Sequence, residues 1–209
     1  MLDYIRDPQE ITRRSLEIVA AETDLSALPD DIAHVAARIV HACGMTDIVT
    51  DLAHSADAVA SGHAALADGA SILCDARMVA AGLMSGRRAA ANEICVAIDQ
   101  PEASAPAANG AVTTRSAAGT EALVRRHDGA IVVIGNAPTA LFRLLELVAS
   151  GVTRPALVLG FPVGFVGAAE SKAALAANGF GIPFVTLHGR RGGSAMAAAA
   201  LNALILGLP

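Results

Sequence analysis

Tryptophan is absent from this chain, lysine occurs once, at Lys172, and the aromatic residues together make up 3%. A core without large rings must be assembled from Ala, Val, Leu and Ile. Such small side chains let helices and strands approach closely, which suits layered α/β packing. Basic charge is scarce as well. A net charge of −5 over 209 residues removes the electrostatic footprint that general nucleic-acid binding requires. Cys43, Cys74 and Cys95 are odd in number and form no C-x-x-C pair. That disfavours a disulfide framework or structural zinc and fits reduced, buried thiols in a cytoplasm. The opening Met1-Leu2-Asp3-Tyr4-Ile5-Arg6-Asp7 carries no apolar signal core. The longest apolar stretches are broken by Gly and Pro or are too short to span a bilayer, so no membrane partner is expected.

What is present points to an ordered globular chain: 54% of residues are hydrophobic and 17% charged. The length suits one domain over 1–209. Fourteen of the fifteen cations are arginine, several in pairs: Arg13-Arg14, Arg87-Arg88, Arg125-Arg126 and Arg190-Arg191. The guanidinium fork holds carboxylates in two-pronged geometry, so a substrate edged with carboxylates is compatible with this usage, as is a solvated surface.

Asp7-Pro8-Gln9-Glu10 opens a helix expected to run to Glu22, with Asp7 as cap, Pro8 in the first turn and Glu10 completing a capping box. After Leu28-Pro29-Asp30 a second helix carries Ile32, Val35, Ile39 and Val40 on one face and stops at Gly44. From residue 71 the pattern changes. Segments 71–75, 92–98, 130–134, 155–159 and 183–187 read as buried strands, and the later ones alternate with helices. A polar loop spans 99–112, and Thr113-Thr114-Arg115-Ser116 starts a helix to His127. Continuous apolar strands of this kind predict an α/β fold. Its expected form is a three-layer αβα, Rossmann-like single domain with a mainly parallel sheet, preceded by N-terminal helices. Right-handed crossovers put the strand-to-helix loops on one edge, where such sheets bind ligands.

Three of those loops are distinctive: Gly135-Asn136-Ala137-Pro138-Thr139, the Gly-rich stretch after Leu159, and Gly189-Arg190-Arg191-Gly192-Gly193-Ser194. Each leads into a helix N-terminus, whose free N–H groups and dipole attract anions. Together they predict an anion-friendly rim. The alternative is ordinary turn chemistry with Asn136 and Ser194 as caps. A nucleotide site is not expected. Asp75-Ala76-Arg77-Met78 follows the first strand without a G-x-G-x-x-G, no Walker sequence occurs, and Asp99 alone is a weak ribose ligand. The six histidines show no metal-ligand spacing, so no metal is expected. Glu170 and Lys172 read by default as a surface pair. His41 stands apart because it falls in the last turn of the second helix. The negative end of the helix dipole favours imidazolium there, the form a general acid needs, although a helix-end His bonding a carbonyl fits the same position.

Several segments, in order and along nearly the whole chain, resemble the precorrin-8X methylmutase family. They are Tyr4-Ile5-Arg6-Asp7, Arg14-Ser15, Val40-His41-Ala42-Cys43-Gly44, Ile72-Leu73-Cys74-Asp75-Ala76, Asn92-Glu93, Thr114-Arg115-Ser116-Ala117-Ala118 and Gly192-Gly193-Ser194-Ala195-Met196, with two longer runs, 134–141 and 160–172. The resemblance implies an α/β homodimer with its active site near the interface. It also implies migration of a methyl group from C-11 to C-12 of precorrin-8X, giving hydrogenobyrinic acid without a cofactor. It assigns the acid to His41 and substrate contacts to Arg14, Ser15, Arg115, Asn136, Lys172, Gly193 and Ser194. Ser85, in Ser85-Gly86-Arg87-Arg88, stands where the family pattern carries a Thr-Arg pair. The same resemblance admits a cobalt-containing substrate. A corrinoid-binding protein without turnover and a donor-dependent methyltransferase are the readings from other classes.

Overall fold

In the computed structural model, strand residues alternate between two separate hydrophobic layers. The model describes residues 2, 4–84, 92–104 and 112–207. Ile131 and Val133 of β4 (Ile131–Ile134) point into one layer, and Val132 and Ile134 into the other. The same holds for Leu157 and Leu159 against Val158 in β5 (Leu157–Gly160), and for Ile72 and Cys74 against Leu73 in β2 (Ile72–Cys74). Period-two side-chain alternation within an unbroken apolar run has this consequence when helices cover both faces.

One layer packs α2 (Asp30–Cys43), α3 (Ala58–Ala67), α4 (Arg77–Ala81) and α8 (Ser194–Leu206) on the sheet. The other packs α5 (Arg115–Val124), α6 (Pro138–Ala149) and α7 (Ala168–Ala176). The sheet order is β1-β6-β5-β4-β2-β3, with β3 at Ile94–Val96 and β6 at Phe184–Leu187. All pairs among β2–β6 are parallel, so the three-layer αβα expectation holds. Strand order reverses between β2 and β4, which makes their carboxyl ends the crevice where open α/β sheets ordinarily take ligands.

The sequence reading needs four corrections. An antiparallel edge strand, β1 (Leu52–His54), pairs with β6, and α3 follows it. Neither was foreseen, because three residues on an edge are too few to show a period. The second expected strand is only three residues long and turns into tight 3₁₀ turns at Ala97–Asp99 and Pro101–Ala103 inside the supposed loop. α5 starts within the expected segment, at Arg115, with Thr114 as a cap accepting from the Ala117 N–H at 3.2 Å, but it ends at Val124, short of His127. Of the thiols, only Cys74 is fully buried.

α1 (Pro8–Glu22) starts as expected, with the Asp7 side chain accepting from the Gln9 N–H at 2.9 Å. Glu10 bonds Arg13 instead of closing a capping box. α1 contributes a single buried residue, Val19, and leaves Ile11 46% and Ile18 48% exposed. It lies against α2 with little apolar burial of its own. Among the described residues no helix is long and apolar enough to cross a membrane.

Candidate active site

The burial pattern of α2 sets the position of His41. Ile32, Val35, Ala36, Ile39 and Val40 are buried, so the next residue rotates about 100° away, onto an exposed flank. Gly44 ends the helix in the left-handed region at φ 69°, its N–H donating to the Val40 carbonyl at 2.8 Å. His41 therefore sits in the final turn, and its Nδ1 lies 2.7 Å from the Ser15 hydroxyl of α1.

Two cavities meet at His41, the one residue among those described that lines both. The smaller, about 370 Å³, runs beneath α1 between Ile5, Arg14, Ser15, Ile18 and Thr46. The larger, about 870 Å³, lies between α1, α2, the 82–84 turn and α8. Its size falls near the upper end of small-molecule sites, roughly 300–1,000 Å³. Arg13, Arg38, Ala195 and Asn202 stand on its wall. Asn202 ties the neighbouring turn down, its Oδ1 accepting from the Met84 N–H and its Nδ2 donating to the Gly82 carbonyl, both at 2.9 Å. The sequence reading overlooked Arg38 and Asn202. Arg38 precedes His41 by three residues on one helix, and that spacing alone was enough to place both on one face.

Two of the three Gly-rich loops are engaged within the fold itself. The first is already filled from within. Asp75, 2% exposed at the end of β2, accepts from Gly135 N–H at 2.9 Å, Asn136 N–H at 2.9 Å and Ala137 N–H at 2.7 Å. A buried carboxylate thus occupies the strand-order crevice where a nucleotide phosphate would sit, which accounts physically for the missing fingerprint. Burial pushes the Asp75 carboxyl above the usual carboxylate range, against the pull of its three N–H donors. In the third loop the glycines serve packing. A Cβ on Gly192 would lie 2.4 Å from the Phe161 carbonyl oxygen, and the Gly193 N–H donates to that oxygen at 2.8 Å. Neither Asn136 nor Ser194 caps a helix, since those positions fall on Ala137 and Gly193. Asp99 is paired with Arg77 at 2.5 Å.

The structure brings Arg14, Ser15 and His41 together and sets Gly193 and Ser194 at the start of α8, whose Ala195 opens onto the larger cavity. Asn136 is exposed beside this helix start, because Gly135 packs against the Ser194 backbone. Arg115 is farther along the sheet edge, donating to the Ile98 carbonyl at 3.4 Å, and lines neither cavity. Ser85 lies outside the described residues. Lys172 is not a surface residue: it is fully buried, its ammonium donates to the Arg191 carbonyl, and Glu170 is exposed. Burial lowers its pKa to about 8. Arg191 in turn grips Asp47 at 2.7 Å and Asp51 at 2.6 Å. The thiols are not primed for attack. Burial pushes Cys43 and Cys95 upward and Cys74 to about 12, the reverse of an activated nucleophile.

Fold and cavities define an α/β protein whose ligand space lies among its helices and not at a phosphate-binding loop. Residues 10–206 match the family described as precorrin-8X methylmutase, and the chain belongs to that family. It is 56% identical over 205 residues to a precorrin-8X methylmutase of Pseudomonas aeruginosa, covering 98% of each chain. It is 35% identical to a cobalt-precorrin-8 methylmutase of Priestia megaterium, over 94% of this chain and 87% of the relative. A crystal structure of precorrin-8X methyl mutase from Thermus thermophilus superimposes with a TM-score of 0.83 at 39% identity, covering 95% of each chain.

Proposed function

We propose that this chain is a precorrin-8X methylmutase, an isomerase of cobalamin biosynthesis that moves a methyl group from C-11 to C-12 of the ring to give hydrogenobyrinic acid. The carrying observation is His41, held by Ser15 on the wall of a cavity large enough to admit much of a macrocycle. Two relatives named for the metal-free substrate are 56% and 52% identical, above the 29–39% of relatives named for the cobalt form, which favours precorrin-8X over its cobalt form.

His41 is the general acid in this reading. In the imidazolium form Nδ1–H donates to Ser15 Oγ, which leaves Nε2–H for the bound ring. Protonating or hydrogen-bonding the conjugated system makes the carbon skeleton electron-poor where the methyl arrives. The methyl leaves C-11 as it bonds C-12, and the borrowed proton returns to His41. Substrate and product contain the same atoms, so no donor or cofactor enters the balance. Arg14 and Arg38 serve the peripheral carboxylates, and the first turn of α8 at Ser194 serves another. The exposed Asn136 side chain, beside that helix start, adds a polar contact. The exposed Ile11 and Ile18 on α1 support a homodimer whose partner covers α1 beside the site. A single-domain, cytoplasmic enzyme fits this reading.

The test mixes purified protein with precorrin-8X and follows the absorption spectrum, with His41→Ala alongside. Conversion by the wild type and loss of it in the variant is the expected result. Equal conversion by both removes His41 as the acid. Spectra unchanged in both turn the reading into a binding protein, and a labelled methyl arriving from an added donor makes it a methyltransferase.

A further inference from the structure

On the sheet face opposite His41, at the amino ends of the parallel strands, two side chains of the β3 segment meet one that follows α5. Glu93 and Cys95 are two residues apart at β3, so they project to the same face. The chain leaving α5 delivers His127 to that face, its N–H bonded to the Leu123 carbonyl at 3.1 Å. One ligand atom from each of Glu93, Cys95 and His127 lies within 4.8 Å of the other two. The Cys95 Sγ is 4.0 Å from the His127 Nε2.

We propose that Glu93, Cys95 and His127 form a binding site for one borderline-soft divalent metal ion, with zinc the best match. Thiolate, imidazole and carboxylate are the three ligand types zinc takes, with bonds of about 2.0–2.3 Å. A tetrahedral ion with those bonds sets neighbouring ligand atoms roughly 3.3–3.7 Å apart. The Cys–His edge must close by about half an ångström and the edges to Glu93, an exposed side chain, by no more than about 1.5 Å, and three protein ligands leave a fourth position for water. A second observation points the same way. The other nitrogen of His127, Nδ1, lies 3.1 Å from the Ser71 hydroxyl, which orients the ring and leaves Nε2 facing the sulfur. This is the outer contact that ligating histidines characteristically carry. The negative end of α5 adds a favourable field for a cation.

The ion would act as a clamp. Among the described residues β3 is a three-residue edge strand paired on one side only, with β2. Joining Glu93 and Cys95 to His127 ties that edge to the helix covering it. The site lies outside both cavities at His41, so its occupancy is separable from the methyl shift.

The experiment titrates metal-free protein with zinc against a chromophoric chelator and repeats it with cobalt(II), whose thiolate bond gives a near-ultraviolet charge-transfer band. One equivalent is expected to bind, with the cobalt band present and the melting temperature rising with zinc. Cys95→Ser and His127→Ala lower the affinity more than tenfold and Cys95→Ser abolishes the band, while Ser71→Ala costs about 10–100-fold. No binding by the wild type at micromolar zinc overturns the assignment, as does undiminished affinity in Cys95→Ser or His127→Ala. If either of those variants does not fold, the exposed Glu93→Gln decides: wild-type affinity in it overturns the trio.

Discussion

His41 and Ser15 meet across the α1–α2 junction at 2.7 Å, a contact between residues 26 positions apart in the chain. The serine has no acid chemistry of its own here, and its value is to fix the imidazole. Removing the ring should cost turnover about 10²–10⁴-fold, the usual worth of a general acid. Removing one hydrogen bond to the imidazolium, about 1.5–3 kcal/mol, predicts a roughly 10- to 150-fold fall in kcat for Ser15→Ala. If Ser15 works through His41, Ser15→Ala causes no further loss in a His41→Ala background. A full additional loss in the double variant, measured by single-turnover spectroscopy, would assign Ser15 a separate role.

Asp75 predicts a different signature. In Asp75→Asn one oxygen becomes an NH₂ facing the Asn136 and Ala137 amides or the Gly135 amide. Each orphaned N–H costs about 1–3 kcal/mol. The expected outcome is faster hydrogen exchange at residues 135–137 and a lower denaturation midpoint, with the remainder of the sheet still protected. Unchanged protection of those three amides would mean that the carboxylate does not hold the loop.

Much of this architecture was legible in the sequence. The strands at 131–134, 157–160 and 184–187 are short, nearly unbroken apolar runs bounded by Gly and Pro, and such runs announce themselves when helices bury both faces. Gly44 marked the end of α2 and thereby the station of His41. Illegible were contacts made by single side chains over long separations. Nothing local in Gly135-Asn136-Ala137 reveals that a carboxylate 60 residues earlier already occupies its amides. Lys172 looked like a surface partner for Glu170 because a helix beginning with Ala-Ala-Glu-Ser-Lys has no strong apolar period, and its burial arises from the 188–193 loop folding over it. The convergence of Glu93, Cys95 and His127 was hidden for the same reason: the sheet and helix that unite them are not a spacing.

Glycines separate two kinds of requirement. Gly119 on α5 faces the turn at 97–99, where an added Cβ would lie 1.9 Å from the Ala97 carbonyl oxygen. Backbone cannot yield as a side chain can, so Gly119→Ala is expected to destabilise by about 1–3 kcal/mol or more and to displace α5. Gly44 has open space around its Cβ position but a φ of 69°. Gly44→Ala is expected to cost about 1–2 kcal/mol from backbone conformation alone. Urea midpoints measure both, and equal stability of Gly119→Ala and wild type would contradict the close approach of α5 to that turn.

Lys172 supplies the pH-dependent test. Burial lowers its folded pKa to about 8 from an ordinary 10.5. Below pH 8 both states carry the cation, and the folded state bears the full cost of burying it. Between pH 8 and 10.5 the unfolded chain holds more protons at this site, so the residue's contribution to stability rises with pH, by up to about 3 kcal/mol. Cys74 has the opposite sign. Its thiol, pushed to about 12, stays neutral in the fold while the unfolded chain ionises near 8.5, so its contribution falls over the same range. The wild-type curve alone therefore mixes the two, and the difference between wild type and Lys172→Met isolates the lysine. Lys172→Met is expected to lose the ammonium's bond to the Arg191 carbonyl, worth about 1.5–3 kcal/mol, yet to be about as stable as wild type at pH 7 because no charge is buried. The wild type should then gain on the variant as the pH is raised to 10.5. A stability difference that stays flat between pH 7 and 10.5 would mean that the ammonium is solvated or paired in the fold, contrary to its burial beneath the 188–193 loop.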